Sequence, residues 1–319
     1  MSQDQDQDQD AGFDLPERFE LRRVLARTDA EVLIQAYDHE LEREVVLKVA
    51  GPAMEHAMRT SDGTDRALRE ARTLARVRHP GVPRVLDVLT CELGPLVVTE
   101  PVEGESLAQR LRTKNRLPLD EVYALGFALA DALHAVHAVS VVHRNVCTES
   151  IILRPDDTPC LTGFRLAKFE LGGSGTSIMY PGGTDGNASQ SATFIAEDGR
   201  MFEAAASLLP AHPAPEQLMG LAADERCDVF GAGCVLYDTL TGTLAYPQDD
   251  PGARMPPEAP HKVAKGVPRK LSKVVMAALE LRPAERLRTA RELGEALKDA
   301  ARGAGPMAWF KRRKGDAGR

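Results

Sequence analysis

Residues 141–168 gather chemistry-bearing side chains into a short span: His143, Arg144, Asn145, Cys147, Glu149 and Ser150, then Gly163, Phe164 and Arg165. Val141-Val142 reads as a strand-like lead-in, followed by a polar loop. Ile151-Ile152-Leu153 and a second run ending at Leu161 flank a Pro155-Asp156-Asp157 turn, the pattern of a β-hairpin. Such a hairpin opens the loop before it and the Gly163-Phe164-Arg165 turn after it on the same side. The residue types suit phosphate chemistry. Arg144 is a cation able to receive a phosphate, and Ser174, Thr176, Ser177, Thr184 and Thr193 downstream are hydroxyls able to carry one.

The stretch resembles the catalytic loop and magnesium-binding turn of eukaryotic-type (bacterial-like) Ser/Thr protein kinases, H-R-D-x-K-x-x-N followed by D-F-G. His143, Arg144 and Phe164 match that pattern. The base Asp is replaced by Asn145, the Lys by Cys147, the Asn by Ser150, the metal Asp by Gly163 and the turn Gly by Arg165. In the family the base Asp takes the proton of the substrate hydroxyl, while the other Asp and the Asn hold magnesium. Asn145 has no basic site, and losing a general base costs about 10²–10⁴-fold. Ser150 is a weak neutral ligand for a hard cation and Gly163 has no side chain to offer. Arg165 would bring a cation near the place of the missing metal. Two displaced acids, Glu149 and Asp156, are the candidates for unorthodox chemistry in the same cleft.

The elements that must position this stretch follow the same resemblance from Phe19 to Ala300. Short alternating runs between Phe19 and Val49 read as three antiparallel strands. The family's glycine-rich phosphate turn corresponds to Ala26, Thr28 and Glu31, none of them Gly, with Asp29 and Glu31 placing carboxylates where phosphate would sit. Lys48 in V-L-K-V matches the family strand lysine, and Glu70, on a helix expected over Thr64 to Arg78, matches its ion-pair partner. Strands are expected over Val82–Thr90 and Leu96–Thr99. Thr99 would guard a nucleotide pocket, with Glu100 and Val102 supplying hinge contacts around Pro101.

Leucines and valines from Val122 to Val136 recur at steps of three and four, a helix over Asp120–Val139. His134 and His137 on it read as ordinary helix residues. The segment 163–216 is long for the family and ends in Ala214-Pro215-Glu216. Cys227–Leu240 is apolar nearly all round, a buried helix, with Asp228 at the family position that holds the catalytic loop. Helices follow over Leu271–Leu279 and Thr289–Leu297, the last with a Thr289–Glu292 capping box. Arg286 matches the partner of Glu216.

The resemblance implies an α+β, two-lobed kinase-like fold: a small antiparallel-sheet lobe with one helix over 18–100 and a larger helical lobe over 101–300. An acidic tail over 1–17 and a basic tail over 301–319 flank it. The composition agrees: 319 residues, 43% hydrophobic, net charge −7. That charge argues against a protein built to bind nucleic acid backbone. Five cysteines with no C-x-x-C spacing read as reduced thiols. No secretory leader and no membrane span are expected, and the location implied is cytoplasmic. Trp309, Phe310, Lys311, Arg312, Arg313 and Lys314 form an aromatic and basic run that would suit an acidic surface, read here as a solvated tail.

Fold-holding positions match the family and phosphoryl-transfer positions do not. The leading expectation is therefore a pseudokinase, a binding or regulatory module with a protein partner such as an active kinase. No cofactor is required and no metal is held, and ATP binding without magnesium through Lys48 and the hinge is left open. The alternative is a weak or atypical ATP-dependent Ser/Thr kinase or nucleotide transferase using the same cleft.

Overall fold

The computed structural model describes residues 15–27, 31–50, 61–91, 94–164, 177–179, 191–195, 201–205, 212–219, 221–247 and 255–302. Its chain divides into two compact units. The first holds the described residues up to Ala75 together with Arg84–Pro101, and the second holds Arg76–Pro83 and the described residues from Val102 onward.

The first unit is a five-stranded antiparallel sheet: β1 (Phe19–Arg27), β2 (Glu31–Asp38), β3 (Arg43–Ala50), β4 (Val85–Cys91) and β5 (Gly94–Thr99), in the order β1-β2-β3-β5-β4. Side chains alternate across a strand with period two. Val32, Ile34 and Ala36 therefore share one buried face with Val45, Leu47 and Val49, and Leu96 and Val98 complete that core. One helix, α1 (Ser61–Leu74), packs against β4 and β5 through Leu68 and Ala71. It starts three residues before the expected Thr64 and stops four short of Arg78. Its last hydrogen bond runs from the Ala75 N–H to the Ala71 carbonyl, before Val77-Arg78-His79 leave the helix.

Arg76–Pro83 belongs with the second unit for a visible reason. The Gly81 carbonyl accepts the Leu161 N–H at 2.8 Å, and His79 Nε2 lies 3.2 Å from Asp131.

The second unit is mainly helical. A small sheet, β6 (Glu105–Ser106), β7 (Ile151–Leu153) and β8 (Pro159–Leu161), contains the expected hairpin. Helix α2 (Leu107–Lys114) starts at a capping box in which the Ser106 hydroxyl accepts the Gln109 N–H and the Gln109 carbonyl accepts the Ser106 N–H. Helix α3 (Leu119–His137) buries the expected Val122, Leu125, Leu129, Leu133 and Val136. Three short strands, β9 (Ser177–Met179), β10 (Ser191–Ile195) and β11 (Met201–Ala205), form an antiparallel sheet inside the long segment, where the sequence suggested only loop.

The remaining helices are α4 (Pro215–Leu218), α5 (Glu225–Thr241), α6 (Pro260–Val263), α7 (Arg269–Ala278) and α8 (Ala290–Arg302). Every residue of α5 from Cys227 to Thr241 is buried, so it is the post around which α3, α7 and α8 pack. Gly126 permits one close crossing, since a Cβ there would lie 2.9 Å from Leu297 and 3.2 Å from Leu236, and Gly233 permits another, with Ala278 at 2.9 Å. At α8 the capping box is altered. Thr289 accepts the Glu292 N–H, but the Glu292 carboxylate takes the Arg288 N–H.

The expected strand at Val141-Val142 does not form. Residues 141–146 have no regular structure, because the backbone donors that follow Val142 point to a carboxylate instead of a neighbouring strand.

Candidate functional site

The loop after α3 is held from below by Asp228, in the first turn of α5. Its Oδ2 accepts the His143 N–H at 2.8 Å and its Oδ1 accepts the Arg144 N–H at 2.6 Å. A third bond comes from His137 Nε2, 2.8 Å from Oδ2. Burial by itself would raise this carboxyl; the bonds and charge of His137 and His143 outweigh it and hold Asp228 below the ordinary carboxylate range. Arg144 adopts φ +63, uncommon for a residue with a Cβ. Its carbonyl accepts the Gln217 side-chain N–H at 3.1 Å, so both ends of its peptide groups are fixed.

The His143 ring is oriented by two bonds. Its Nδ1 accepts the Asn145 N–H at 3.2 Å, so in the neutral ring Nε2 carries the proton and donates to the Thr162 carbonyl at 2.7 Å. The ring also packs on Phe164, with centroids 4.3 Å apart. His143 and Phe164 thus tie the loop to the turn after the hairpin.

Three of the substituted positions meet here. Gly163 has φ +73, and a Cβ built on it would lie 3.1 Å from the Ser150 Cβ and 3.9 Å from the Asn145 side-chain nitrogen. Ser150 is buried, and its hydroxyl is engaged twice: it donates to the Cys147 carbonyl at 2.9 Å and accepts the Cys147 N–H at 3.1 Å. Cys147 is buried as well. Burial, with Glu149 nearby, pushes its thiol up to about 11, so it is an inert apolar group at neutral pH. Arg165 lies outside the described residues.

The displaced acids have other tasks. Asp156 Oδ1 accepts the N–H and hydroxyl of Thr158, which close the hairpin turn and keep its carboxyl below the usual range. Glu149 accepts the Thr148 hydroxyl at 3.0 Å.

The end of the long segment is fastened by Glu216 and Arg286, both buried, in a bidentate pair at 2.7 and 3.0 Å. Arg286 also donates to the carbonyls of Arg226 and Glu280, and its guanidinium lies 4.9 Å over the Phe230 ring.

In the first unit Lys48 is buried on β3, opposite Leu33 on β2 and Val97 on β5. The Thr99 hydroxyl donates to the Val46 carbonyl at 3.3 Å, and the Glu100 N–H goes to the Arg84 carbonyl. Glu70 is on α1, but its side chain lies outside the described residues, as do Thr28 to Ala30, the Glu31 side chain, the five candidate phosphate-acceptor side chains and the 303–319 tail. Val102 begins the second unit.

Residues 29–295 match the family model described as the protein kinase domain. The chain belongs to the protein kinase family. Its similarity to named bacterial kinases runs along most of its length. It is 26% identical over 288 residues to a probable serine/threonine-protein kinase of Clostridium perfringens, covering 88% of this chain and 38% of the relative. It is 28% identical over 303 residues to the serine/threonine-protein kinase PknK of Mycobacterium tuberculosis, covering 92% and 24%. The serine/threonine-protein kinase PknB of the same species matches at 27% over 292 residues, covering 88% and 42%. The chain thus spans less than half the length of these relatives.

A solved structure of Rad53 residues 1-466 in complex with AMP-PNP aligns with a TM-score of 0.62 at 18% identity, over 88% of this chain and 64% of that one. The fold is the protein kinase fold, with an antiparallel-sheet N-lobe and a helical C-lobe. No helix among the described residues is long and apolar enough to cross a membrane.

The reading of His137 as an ordinary helix residue missed its bond to Asp228. The roles of Gln217 and Thr162 were also missed. His137 carried one signal: it is the last residue of α3, six positions before His143, close enough for both to reach one carboxylate. Gln217 and Thr162 act through loop geometry, which no side-chain pattern encodes.

Proposed function

We propose that this kinase-fold chain is a pseudokinase: a protein-binding or regulatory module with little or no phosphoryl transfer. One observation carries the reading. Asn145, Ser150 and Gly163 stand around one point, and they offer an amide, an engaged hydroxyl and no side chain. The family chemistry needs a carboxylate base, a carboxylate metal ligand and an amide metal ligand there. This donor set does not fit a divalent cation, so no step through magnesium is derived. Scaffold contacts remain: Asp228 under the loop, the His143–Phe164 packing and the Glu216–Arg286 pair.

What survives is a rigid loop and a segment anchored at both ends, features that suit a surface presented to a protein partner. Lys48, Glu70, Thr99, Glu100 and Val102 are the positions through which a nucleotide would bind without metal, as a ligand and not as a substrate.

The test is phosphate transfer to the protein itself and to a generic protein substrate, with magnesium or manganese, for the wild type and for Lys48→Ala. The expected result is no difference between them. Turnover in the wild type that Lys48→Ala abolishes overturns the proposal.

A further inference from the structure

The second unit contains a cavity of about 360 Å³ that has no part in the loop chemistry. Three exposed cations line it, Lys114, Arg116 and Lys265, together with the buried Leu117 and Leu240 and the part-buried Val267. None of the described residues lining it is acidic. Two carboxylates follow the lining residue Leu119 in the first turn of α3: Asp120, and Glu121, which meets Lys114 at 3.7 Å with both side chains well exposed, a weak pair.

The walls are fixed. The Leu117 N–H donates to the Thr239 carbonyl at 2.9 Å, and the Asn115 N–H to the Leu111 carbonyl at 2.8 Å. Asn115 also lies against Gly242, where a Cβ would come within 2.7 Å of it. Lys265 precedes a turn at Gly266, φ +89. These contacts bring like charges to one mouth, where a bound anion relieves their repulsion.

The volume falls in the range of small-molecule sites. Exposed cations beside buried apolar side chains select an anionic head on an apolar body. We propose that this cavity binds a small phosphate ester whose organic part is apolar. The proposal stands apart from the pseudokinase reading, since none of its residues belongs to the loop or the hinge.

Isothermal titration with phenyl phosphate, inorganic phosphate and phenol tests it, at about 0.15 M salt, where exposed charges are screened beyond about 8 Å. Phenyl phosphate is expected to bind at least tenfold more tightly than either fragment. The double variant Arg116→Glu/Lys265→Glu is expected to lose at least tenfold of that affinity with an unchanged melting temperature. Should that variant melt early, Arg116→Gln/Lys265→Gln serves in its place. Equal binding of phenyl phosphate and inorganic phosphate, or full binding by the variants, overturns the proposal. A phosphotyrosine peptide arm separates the sources: tighter binding than phenyl phosphate points to a protein ligand, weaker binding to a metabolite.

Discussion

Asp228 holds Arg144 in a left-handed backbone conformation by accepting its N–H at 2.6 Å. The bond leaves from a different oxygen than the one that takes the His143 N–H, so one carboxylate fixes two successive peptides. Replacing it by an amide turns one acceptor into a donor that faces an N–H. Asp228→Asn is therefore expected to cost about 3 kcal/mol, the range for leaving buried donors unsatisfied. Urea unfolding checks this, and a change under 1 kcal/mol would show that the loop does not depend on the carboxylate.

The same group makes stability depend on pH. Its carboxyl is held below the ordinary range, so the unfolded chain binds the proton first. The stabilisation is fully present above the unfolded-state pKa of about 3.9 and is lost as pH falls through the lower folded value. The wild type is expected to lose stability steeply below about pH 4, and Asp228→Asn to show a shallower acid limb. Melting temperatures between pH 3 and 7 give the comparison.

The Glu216–Arg286 pair fastens the end of the long segment within the core. Removing one partner leaves the other charge buried, at about 3–5 kcal/mol. Glu216→Gln is expected in that range, and Arg286→Met likewise. The double replacement Glu216→Leu/Arg286→Met should recover much of the loss, because a buried pair is often no better than apolar residues of similar volume. Denaturant midpoints for the three variants decide it; a double variant as unstable as the sum of the singles would assign the loss to packing on Phe230 instead.

Periodic features of this fold were legible in the sequence. The steps of three and four from Val122 to Val136 encode α3, and the all-round apolar run after Cys227 encodes a helix buried on every side. What escaped has no periodic signature. Val141-Val142 has strand composition, but the donors that follow it are taken by Asp228 from 85 residues away, a non-local contact that overrides local propensity. The small sheet in the long segment is encoded by pairings such as Phe194 with Phe202 among glycine-rich stretches, which read as loop. At the site, the substituted positions were visible as residue types. That Ser150 spends its hydroxyl on the Cys147 peptide was not, because it depends on how tightly the loop turns.

Restoring the family residues one at a time gives the last prediction. Asn145→Asp supplies a base but no metal ligand, so transfer is expected to stay undetectable. Gly163→Asp supplies a ligand at a position with φ +73, which Asp tolerates better than most side chains. Its Cβ would still press on Ser150 Cβ at 3.1 Å, and the shift needed is expected to cost about 1 kcal/mol. Ser150→Asn breaks both bonds to Cys147, at about 1 kcal/mol each. Only the triple variant assembles a base and two ligands at one point, so only it is expected to gain a magnesium-dependent melting shift with ATP. A shift of that kind in Asn145→Asp alone, with turnover, would mean that other groups already hold the metal, and the argument that this donor set does not fit a divalent cation would fall with it.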